Sequence, residues 1–271
     1  MRSNDAARGP AIGTAGWSTP RQAKPAFSGV GSQLERYAAV LPAAEINSSF
    51  HRPHRRTTYE RWAASVPAPF RFSVKIPKTI SHTARLVACD DLLDAFLDQI
   101  GGLGETLEVV LLQLPPSFAF EPNVVVPFLK QLRRKLPATV AIACEPRHPT
   151  WFMPDVEACL TDNHVARVAA DPVLVPGGDE PGGWPSLRYY RLHGAPRIYY
   201  SSYDEAYIKA LAERLFAHAK RGERIWCIFD NTASGAATQN ALDLLGNQAA
   251  LNGRPARPAM SAPGPRERPL A

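Results

Sequence analysis

Charged residues recur at the ends of short apolar segments in this sequence, and their types are those that carry out acid–base chemistry. Glu45 and Glu145 are suited to act as general acid and general base. Lys75, Arg147 and Arg191 are suited to hold negative charge on a substrate or in a transition state. The predicted catalytic residues are Glu45, Lys75, Glu145, His193 and Asp230.

Two basic segments point to an anionic substrate. Residues 51–56 contain two His and three Arg, and a helix is predicted to begin shortly afterwards, near Tyr59. Arginine forks and helix N-termini both bind anions. Lys78 and His82 place further basic groups after the next apolar segment, although a solvated basic loop is the alternative for residues 51–56 alone. The predicted substrate-binding residues are Asn47, Arg52, His82, Gln113, Arg147, His148, Trp151, Arg191 and Asn231.

Aromatic residues accompany two of these segments. In EPRHPTWF, Trp151 follows Glu145 and Arg147 closely enough to form an aromatic wall beside them. In YYRLHGAPRIYYSSY, Arg191 and His193 are two residues apart and therefore share one side of a strand. The tyrosines that follow are suited to stack on a sugar or a base, with packing of their own loop as the alternative.

The elements that must position these residues are short apolar strands alternating with amphipathic helices. Eight strands in about 240 residues, with helices between most of them, predict a (β/α)₈ TIM barrel in the α/β class, whose active site lies at the carboxyl ends of the strands. A doubly wound open sheet is the alternative. The predicted strands are residues 11–16, 44–47, 70–75, 108–113, 140–145, 166–170, 187–192 and 224–229.

Four helices have recognisable signals. Thr57-x-x-Glu60 and Ser202-x-x-Glu205 have the spacing of capping boxes, and residues 88–100 and 124–136 are amphipathic. The segment VLVPGGDEPGGWPS lacks a helical pattern, so we expect a loop between the sixth and seventh strands. Neither a Rossmann glycine fingerprint nor a Walker A motif occurs.

Seven motifs occur in a fixed order along the chain: GTAGW, EINSSF, FSVKIPKTISH, QLPPSF, EPRHPTW, YYRLHG and IFDNTASGAATQNALDL. Together they resemble the YecE-like family, a family of unknown function. The resemblance covers most of residues 11–247 and implies a TIM barrel without an established reaction. Three positions depart from the family pattern: His51, Thr150 and Asp230. The matching residues, implied as site residues, are Glu45, Asn47, Lys75, His82, Gln113, Glu145, Arg147, His148, Arg191, His193 and Asn231.

Composition bounds the remaining alternatives. The formal charge is +6, but half of it lies in residues 249–271, a Pro/Arg-rich segment that we expect to be a disordered tail. Residues 1–10 are expected to be a flexible N-terminus, and residues 11–248 a single YecE-like barrel domain. The four cysteines lack zinc-site spacing. Without a membrane-spanning run or a secretory signal, we predict a cytoplasmic protein that does not bind membranes.

Two functions are consistent with this sequence. The first is a hydrolase-type enzyme that acts on a small anionic molecule containing phosphate or sugar. The alternative is a non-catalytic protein that binds nucleic acid or a nucleotide, with Arg52, Arg55, Arg56 and Lys78 contacting phosphates. Glu45, Glu145, His193 and Asp230 would suit a divalent metal. Salt bridges between the same carboxylates and Lys75, Arg147 or Arg191 are favoured over a metal.

Overall fold

A computed structural model describes residues 9–253 of the 271-residue chain. Within this part, ten strands form one sheet in the order β7-β9-β10-β1-β2-β3-β4-β5-β6-β8. Every pairing is parallel except that of β6 with β8. The strands are β1 (Ala11–Ala15), β2 (Ala43–Ile46), β3 (Arg71–Lys75), β4 (Leu107–Gln113), β5 (Ala141–Glu145), β6 (Val165–Arg167), β7 (Ala169–Asp171), β8 (Gly182–Gly183), β9 (Leu187–Leu192) and β10 (Arg224–Phe229).

The predicted sixth strand closes the barrel by dividing into two. β6 pairs with β5 and β7 pairs with β9, and only Val168 separates them. The Val168 amide still donates to the Cys144 carbonyl at 2.8 Å. One continuous segment therefore joins the two sides of a nearly closed, barrel-shaped sheet, which confirms the barrel rather than the open sheet. The Gly/Pro-rich loop that follows contains no helix and contributes only β8.

Helices between the strands cover the outside of this sheet. They are α1 (Gln33–Ala38), α2 (Arg56–Ala64), α3 (Asp90–Ile100), α4 (Pro122–Lys135), α5 (Pro154–Asp162), α6 (Glu205–Lys220) and α7 (Ala236–Leu251). Short 3₁₀ turns occupy Lys24–Phe27, Ser48–Phe50, Gly101–Thr106 and Pro149–Phe152, and a π turn occupies Thr79–Thr83. In the described part of the chain, none of the helices is long and apolar enough to cross a membrane.

The core has two layers because side chains alternate along each strand. In β4, Val110 and Leu112 lie in the cluster between the sheet and the helices. Val109 and Leu111 lie in a second cluster inside the barrel. Apolar side chains therefore fill the lower part of the barrel, and the polar strand ends lie above them.

Both predicted capping boxes are wrong. Helix α2 begins at Arg56, so Thr57 is already helical, and the residue before the helix makes no side-chain cap. Helix α6 begins at Glu205, and Asp204 caps it by accepting from the Tyr207 amide at 2.8 Å. A capping box does occur at Ser32 and Glu35, where each side chain accepts from the other residue's backbone amide. The hydroxyl-x-x-Glu spacing alone did not locate the helix starts.

The expected chain ends lie mostly outside the described residues, which exclude 1–8 and 254–271. The predicted tail began at residue 249, but α7 continues through Leu251. The side chain of Gln248 is buried and donates to the Ala212 carbonyl, and this contact attaches the last turns of α7 to α6. Residues 249–251 therefore belong to α7 and not to the predicted tail.

Gly13 is required by the spacing of two strands. A Cβ atom at this position would lie 1.9 Å from the Ala43 carbonyl oxygen on β2. We expect Gly13→Ala to lower the free energy of unfolding by about 3 kcal/mol, at the upper end of overpacking effects. Gly246→Ala in α7 is the control, because its Cβ would meet nothing within 4 Å. It should stabilise the helix by about 0.5–1 kcal/mol. Equal urea midpoints for the two variants would contradict this assignment.

Candidate functional site

The carboxyl ends of the strands bring most of the predicted site residues into one cluster. Lys75 and Glu145 are the last residues of β3 and β5, and Arg191 is the penultimate residue of β9. Asp230 directly follows β10. All four of these side chains are nearly or fully buried, with exposures of 6%, 1%, 0% and 6% in that order. The closed barrel therefore gathers charged groups from strands that are distant in sequence.

Arg191 is the centre of the cluster. Its guanidinium makes a two-pronged contact with Glu45, with Nε donating to Oε2 at 3.0 Å and Nη2 to Oε1 at 2.6 Å. Its Nη1 donates to Glu145 Oε2 at 2.5 Å, and Nη2 also donates to Asp230 Oδ2 at 3.0 Å. Charge-assisted bonds of this geometry are the strong ones in proteins. One cation thus organises three carboxylates.

His193 links two of these carboxylates. Its Nδ1 lies 3.1 Å from Asp230 Oδ2, and its Nε2 lies 3.2 Å from Glu145 Oε1. Burial lowers the pKa of His193, but the charge of Glu145 and the hydrogen bonds to both carboxylates outweigh burial and raise it overall. The arrangement therefore favours the imidazolium, which donates from both ring nitrogens.

The carboxylates of Glu145 and Asp230 are held in their ionised form. Burial raises the pKa of both groups, but the charge of Arg191, followed by His193, lowers the pKa of Glu145 well below its usual range and also lowers that of Asp230. Arg147 adds two bonds to Glu145 Oε1, from Nε at 3.0 Å and Nη2 at 2.8 Å. Glu145 is thus fully engaged by cations.

The carboxylates differ in how much hydrogen-bonding capacity remains. Both oxygens of Glu45 contact Arg191, and its Oε2 also accepts from the Tyr189 hydroxyl at 2.8 Å. By contrast, among the described residues Asp230 Oδ1 has only a long contact of 3.5 Å from Asn47 Nδ2. Asp230 is therefore the carboxylate of this cluster with a free acceptor atom.

Lys75 is the exception among the cations of the cluster. Its Nζ lies 4.0 Å from the centre of the Phe50 ring, and within residues 9–253 it makes no hydrogen bond or salt bridge. Burial and then the charge of Arg191 lower the pKa of Lys75 to about 8, despite the neighbouring carboxylates. The Lys75 amine is thus both buried and uncommitted.

Two cations of this cluster, Lys75 and Arg147, also act on His82, together with Lys78 and Arg85. The pKa of His82 is lowered to about 4, by burial and then by Lys75, Lys78, Arg147 and Arg85. The His82 ring packs edge to face on Phe50, with the ring centres 5.0 Å apart. Four cations near one imidazole create a positive potential that attracts an anion.

The loop after β3, which carries Lys78 and Arg85, has a strained backbone. After the π turn, Arg85, Leu86 and Ala88 have φ values of 51°, 65° and 47°. Such left-handed conformations cost non-glycine residues about 1–3 kcal/mol each and are concentrated at functional sites. The Arg85 guanidinium is anchored by donating to the Ser117 carbonyl at 3.1 Å. This contact helps to hold the strained loop in place at the mouth.

A small cavity opens beside Arg147 and His193. Its volume is about 20 Å³, which accommodates a water molecule. Apolar side chains form most of its wall, and the exposed side chains of Leu174 and Ile198 lie at its rim. The polar edge of the cavity is formed by Glu145, Arg147 and His193.

Four predicted substrate-binding residues lie outside the charged cluster or have other contacts. Trp151, expected as an aromatic wall, is fully buried and donates to the Phe118 carbonyl at 2.8 Å, so it packs the loop instead. His148 caps the 3₁₀ turn by accepting from the Thr150 amide. Arg52 is exposed on the basic loop. Gln113 is buried and donates to the Leu114 carbonyl at 3.4 Å.

Asn231 has a positioning contact. Its Nδ2 donates to the Ser201 carbonyl at 2.8 Å and to Asn240 Oδ1 at 3.0 Å. Asn240 Nδ2 donates in turn to the Tyr203 carbonyl at 3.1 Å. These bonds attach the loop after β9 to the end of β10 and to α7, and thereby hold the loop beside the mouth.

Sequence reasoning missed two residues that contact the cluster, Tyr189 and Phe50. Tyr189 donates to Glu45 and to Ser73 Oγ, which lies 2.9 Å away. Phe50 contacts the Lys75 amine. Strand periodicity could have found Tyr189, which precedes Arg191 by two residues and shares its face. The contact of Phe50 is a tertiary feature without a sequence signal.

The residues expected to suit a divalent metal surround a cation instead. Glu45, Glu145 and Asp230 all contact the Arg191 guanidinium. In residues 9–253, no group of three or more His, Cys, Asp or Glu side chains is arranged to hold a metal ion. The geometry corresponds to the salt-bridge interpretation of these residues.

Two curated proteins match about half of the chain by sequence. UPF0759 protein YecE of Escherichia coli K12 is 33% identical over 141 residues, which cover 52% of this chain and 49% of YecE. UPF0759 protein YunF of Bacillus subtilis 168 is 25% identical over 149 residues, covering 53% and 52% of the two chains. The chain thus spans about half the length of the curated relatives it matches.

Solved structures and a family match extend over much more of the chain. A protein described as DUF72 from Enterococcus faecalis V583 matches with a TM-score of 0.72 and 22% identity, covering 88% of this chain and 94% of that one. A DUF72 protein from Thermotoga maritima MSB8 matches with a TM-score of 0.68 and 24% identity, covering 88% of this chain and 98% of that one. The family described as "Protein of unknown function DUF72" matches residues 11–266. The chain belongs to this DUF72 family, which confirms the YecE-like resemblance.

Proposed function

We propose that this protein is a hydrolase-type enzyme that acts on a small anionic molecule, carrying a phosphate or a phosphorylated sugar, at the carboxyl-end mouth of the barrel. The observation that carries the proposal is the concentration of basic side chains at the mouth, where Lys75, Lys78, Arg85 and Arg147 all act on His82 and the Lys75 amine has no hydrogen-bond partner within residues 9–253. Cations concentrated in a partly buried mouth stabilise a phosphate and the charge that develops during its transfer.

The buried glutamates have a positioning role in this proposal. Glu45 and Glu145 hold Arg191, and their oxygens are already engaged by cations and by Tyr189. The lowered pKa of Glu145 keeps that carboxylate ionised at neutral pH. The two glutamates that were expected to act as acid and base therefore fix the geometry of the mouth.

Proton transfer is assigned to Asp230. Within residues 9–253 its Oδ1 makes only the 3.5 Å contact with Asn47, so this oxygen is open to accept a hydrogen bond and then a proton from water, whereas both oxygens of Glu145 are engaged by cations. His193 bonds the other oxygen of Asp230 and supplies a proton source. Arg147 uses Nε and Nη2 for Glu145, so its Nη1 remains for the substrate together with Lys78 and Arg85.

The proposal predicts both binding and turnover. Inorganic phosphate should raise the pKa of His82 from about 4 towards its usual value, because a bound anion offsets the neighbouring cations. NMR titration of the imidazole measures this shift. In a panel of phosphomonoesters, phosphodiesters and sugar phosphates, Asp230→Asn should lower the kcat of the substrate that reacts by roughly 10²–10⁴-fold.

The matched control is Asp243→Asn, on the exposed face of α7. Its kcat should equal that of the wild-type protein within about twofold, because surface changes away from a site have small effects. A His82 pKa that does not respond to phosphate, combined with no turnover in the panel, would overturn the proposal.

The nucleic-acid alternative is less well supported by the geometry. Arg56, one of the expected phosphate contacts, pairs with Glu60 at 3.1 Å and with Asp98 at 3.0 Å. This pairing interrupts the basic run after Arg52 and Arg55. Oligonucleotide affinity that falls steeply with salt, without turnover of any phosphoester, would favour the alternative over the enzyme.

A further inference from the structure

The state of the Lys75 amine is not explained by anion binding alone. The other charged side chains of the cluster, from Glu45 to Asp230, each make charge-assisted hydrogen bonds. Lys75 has three donor protons when charged, is only 6% exposed, and its Nζ has the Phe50 ring as its contact within residues 9–253. A buried ammonium normally uses its donors. The surroundings of Lys75 therefore make its neutral amine easier to form than that of an exposed lysine.

The electrostatic surroundings point the same way. Burial and the Arg191 charge lower the pKa of Lys75 to about 8. About a tenth of the Lys75 side chains are then neutral at pH 7, and about half at pH 8. A lysine that is desolvated and lies next to another cation is an activated nucleophile, since the unprotonated amine is the reactive form.

Acceptor groups lie beside this amine. The register of β2 and β3 pairs Ile46 with Val74, so Asn47 and Lys75 follow side by side at the mouth. Asn47 Oδ1 is buried and accepts no hydrogen bond within the described residues, and its Nδ2 is directed to Asp230 Oδ1 at 3.5 Å. Asn47 Oδ1 and Asp230 Oδ1 are therefore both available to accept a hydrogen bond from a hydroxyl group that forms during a reaction.

We propose that Lys75 forms an imine with the carbonyl carbon of an aldehyde or ketone that also carries an anionic group such as phosphate. The inference rests on the proposed function for its anion-binding residues, because Lys78, Arg85 and Arg147 hold the anionic end. It assigns the carbonyl end of the substrate to Lys75, Asn47 and Asp230. The substrate class is therefore a small phosphorylated carbonyl compound.

The step balances with groups that the chain supplies. The neutral Lys75 amine attacks the carbonyl carbon, a C–N bond forms, and the nitrogen loses a proton as the carbonyl oxygen gains one. This carbinolamine hydroxyl is placed to donate to Asn47 Oδ1 or Asp230 Oδ1. The C–O bond then breaks and the hydroxyl leaves as water, with the proton supplied through Asp230 from His193, while the nitrogen lone pair forms the C=N bond of a protonated imine. Return of the N–H proton to His193 through Asp230 gives the neutral imine. Water reverses the step, so no oxidant or reductant is needed.

Reductive trapping tests the proposal on the full chain. The protein is incubated with glycolaldehyde phosphate and cyanoborohydride at pH 8, and modified lysines are mapped by peptide mass spectrometry. We expect Lys75 to be labelled roughly tenfold faster than exposed Lys24, because its surroundings enrich the reactive neutral amine. Glycolaldehyde, which lacks the phosphate, should label Lys75 more slowly, and inorganic phosphate should slow labelling by the phosphorylated aldehyde.

Two variants separate imine formation from anion binding. Lys75→Arg keeps a cation, so the phosphate-induced shift of the His82 pKa should remain while the adduct on this segment disappears. Lys78→Met should keep the Lys75 adduct and weaken the preference for the phosphorylated aldehyde. Equal labelling of Lys75 and Lys24 overturns the imine, even when phosphate binds and the proposed function stands. Loss of the phosphate response in the wild-type protein would instead overturn the proposed function.

Discussion

Replacing Arg191 by Met is expected to lower the free energy of unfolding at neutral pH by about 5 kcal/mol, the upper range for breaking a buried ion pair. Arg191 is fully buried and is bonded to Glu45, Glu145 and Asp230. Its removal leaves three carboxylates in the barrel mouth without their shared cation. The free energy of unfolding of natural domains is about 5–15 kcal/mol in total, so this single change removes much of the stability. Urea unfolding measures the loss.

The pH dependence should change sign in this variant. In the wild-type protein the pKa of Glu145 and of Asp230 is lowered on folding, so their contribution is present at neutral pH and lost as the pH falls through the acid range. Without Arg191, burial dominates and raises both pKa values, so the variant should become more stable as the pH falls from 7 to about 5.

A surface arginine provides the control for this effect. Arg214 is exposed and lies 3.7 Å from Glu180, so Arg214→Met should change stability by less than about 0.5 kcal/mol. Adding Glu45→Gln to Arg191→Met should recover part of the loss, because it removes one of the uncompensated charges. An Arg191→Met protein as stable as Arg214→Met, with an unchanged pH profile, would contradict the central role of Arg191.

Apolar periodicity predicted the alternation of strands and helices, because each strand is a short apolar run and most are followed by an amphipathic segment. It left an open sheet as the alternative to the barrel, which the family resemblance favoured. It could not predict that the sixth strand divides at Val168. Residues 165–170 are apolar apart from Arg167, and the change of pairing partner from β5 to β9 depends on barrel closure rather than on a local turn signal. Gly13 shows the opposite case, in which a motif residue has a direct steric reason.

The sequence also predicted that Glu45, Glu145, Arg191, His193 and Asp230 meet, because the carboxyl ends of parallel strands lie at the same end of a barrel. It could not assign their roles. A glutamate beside an arginine is either a catalytic acid or a structural partner, and only distances distinguish these, as the two-pronged Glu45–Arg191 contact does. Trp151 illustrates the same limit: its spacing fits a site wall, whereas its burial and indole hydrogen bond fix it in the core.

The stability of the wild-type protein is expected to carry a signature of Lys75 in the alkaline range. Its pKa of about 8 in the folded protein lies below the ordinary value of 10.5. Between these values the unfolded chain binds more protons, so stability rises with pH, by about 2 kcal/mol from pH 7 to 9.5 through this group. Lys75→Met should lack this rise and should be more stable than the wild-type protein at pH 7 by up to about 3 kcal/mol.

Urea unfolding of both proteins across this range measures the difference, which removes the contribution of groups common to both. Lys78→Met, which replaces an exposed lysine in the next turn, should keep the wild-type slope. The range ends below pH 10 because Tyr59, whose pKa is raised to about 12, destabilises the fold above that point. Parallel profiles for the Lys75→Met and wild-type proteins, or a less stable variant at pH 7, would contradict the prediction. A variant that gains stability while losing the Lys75 adduct would indicate that the chain keeps a destabilising amine here for its chemistry, as functional sites do.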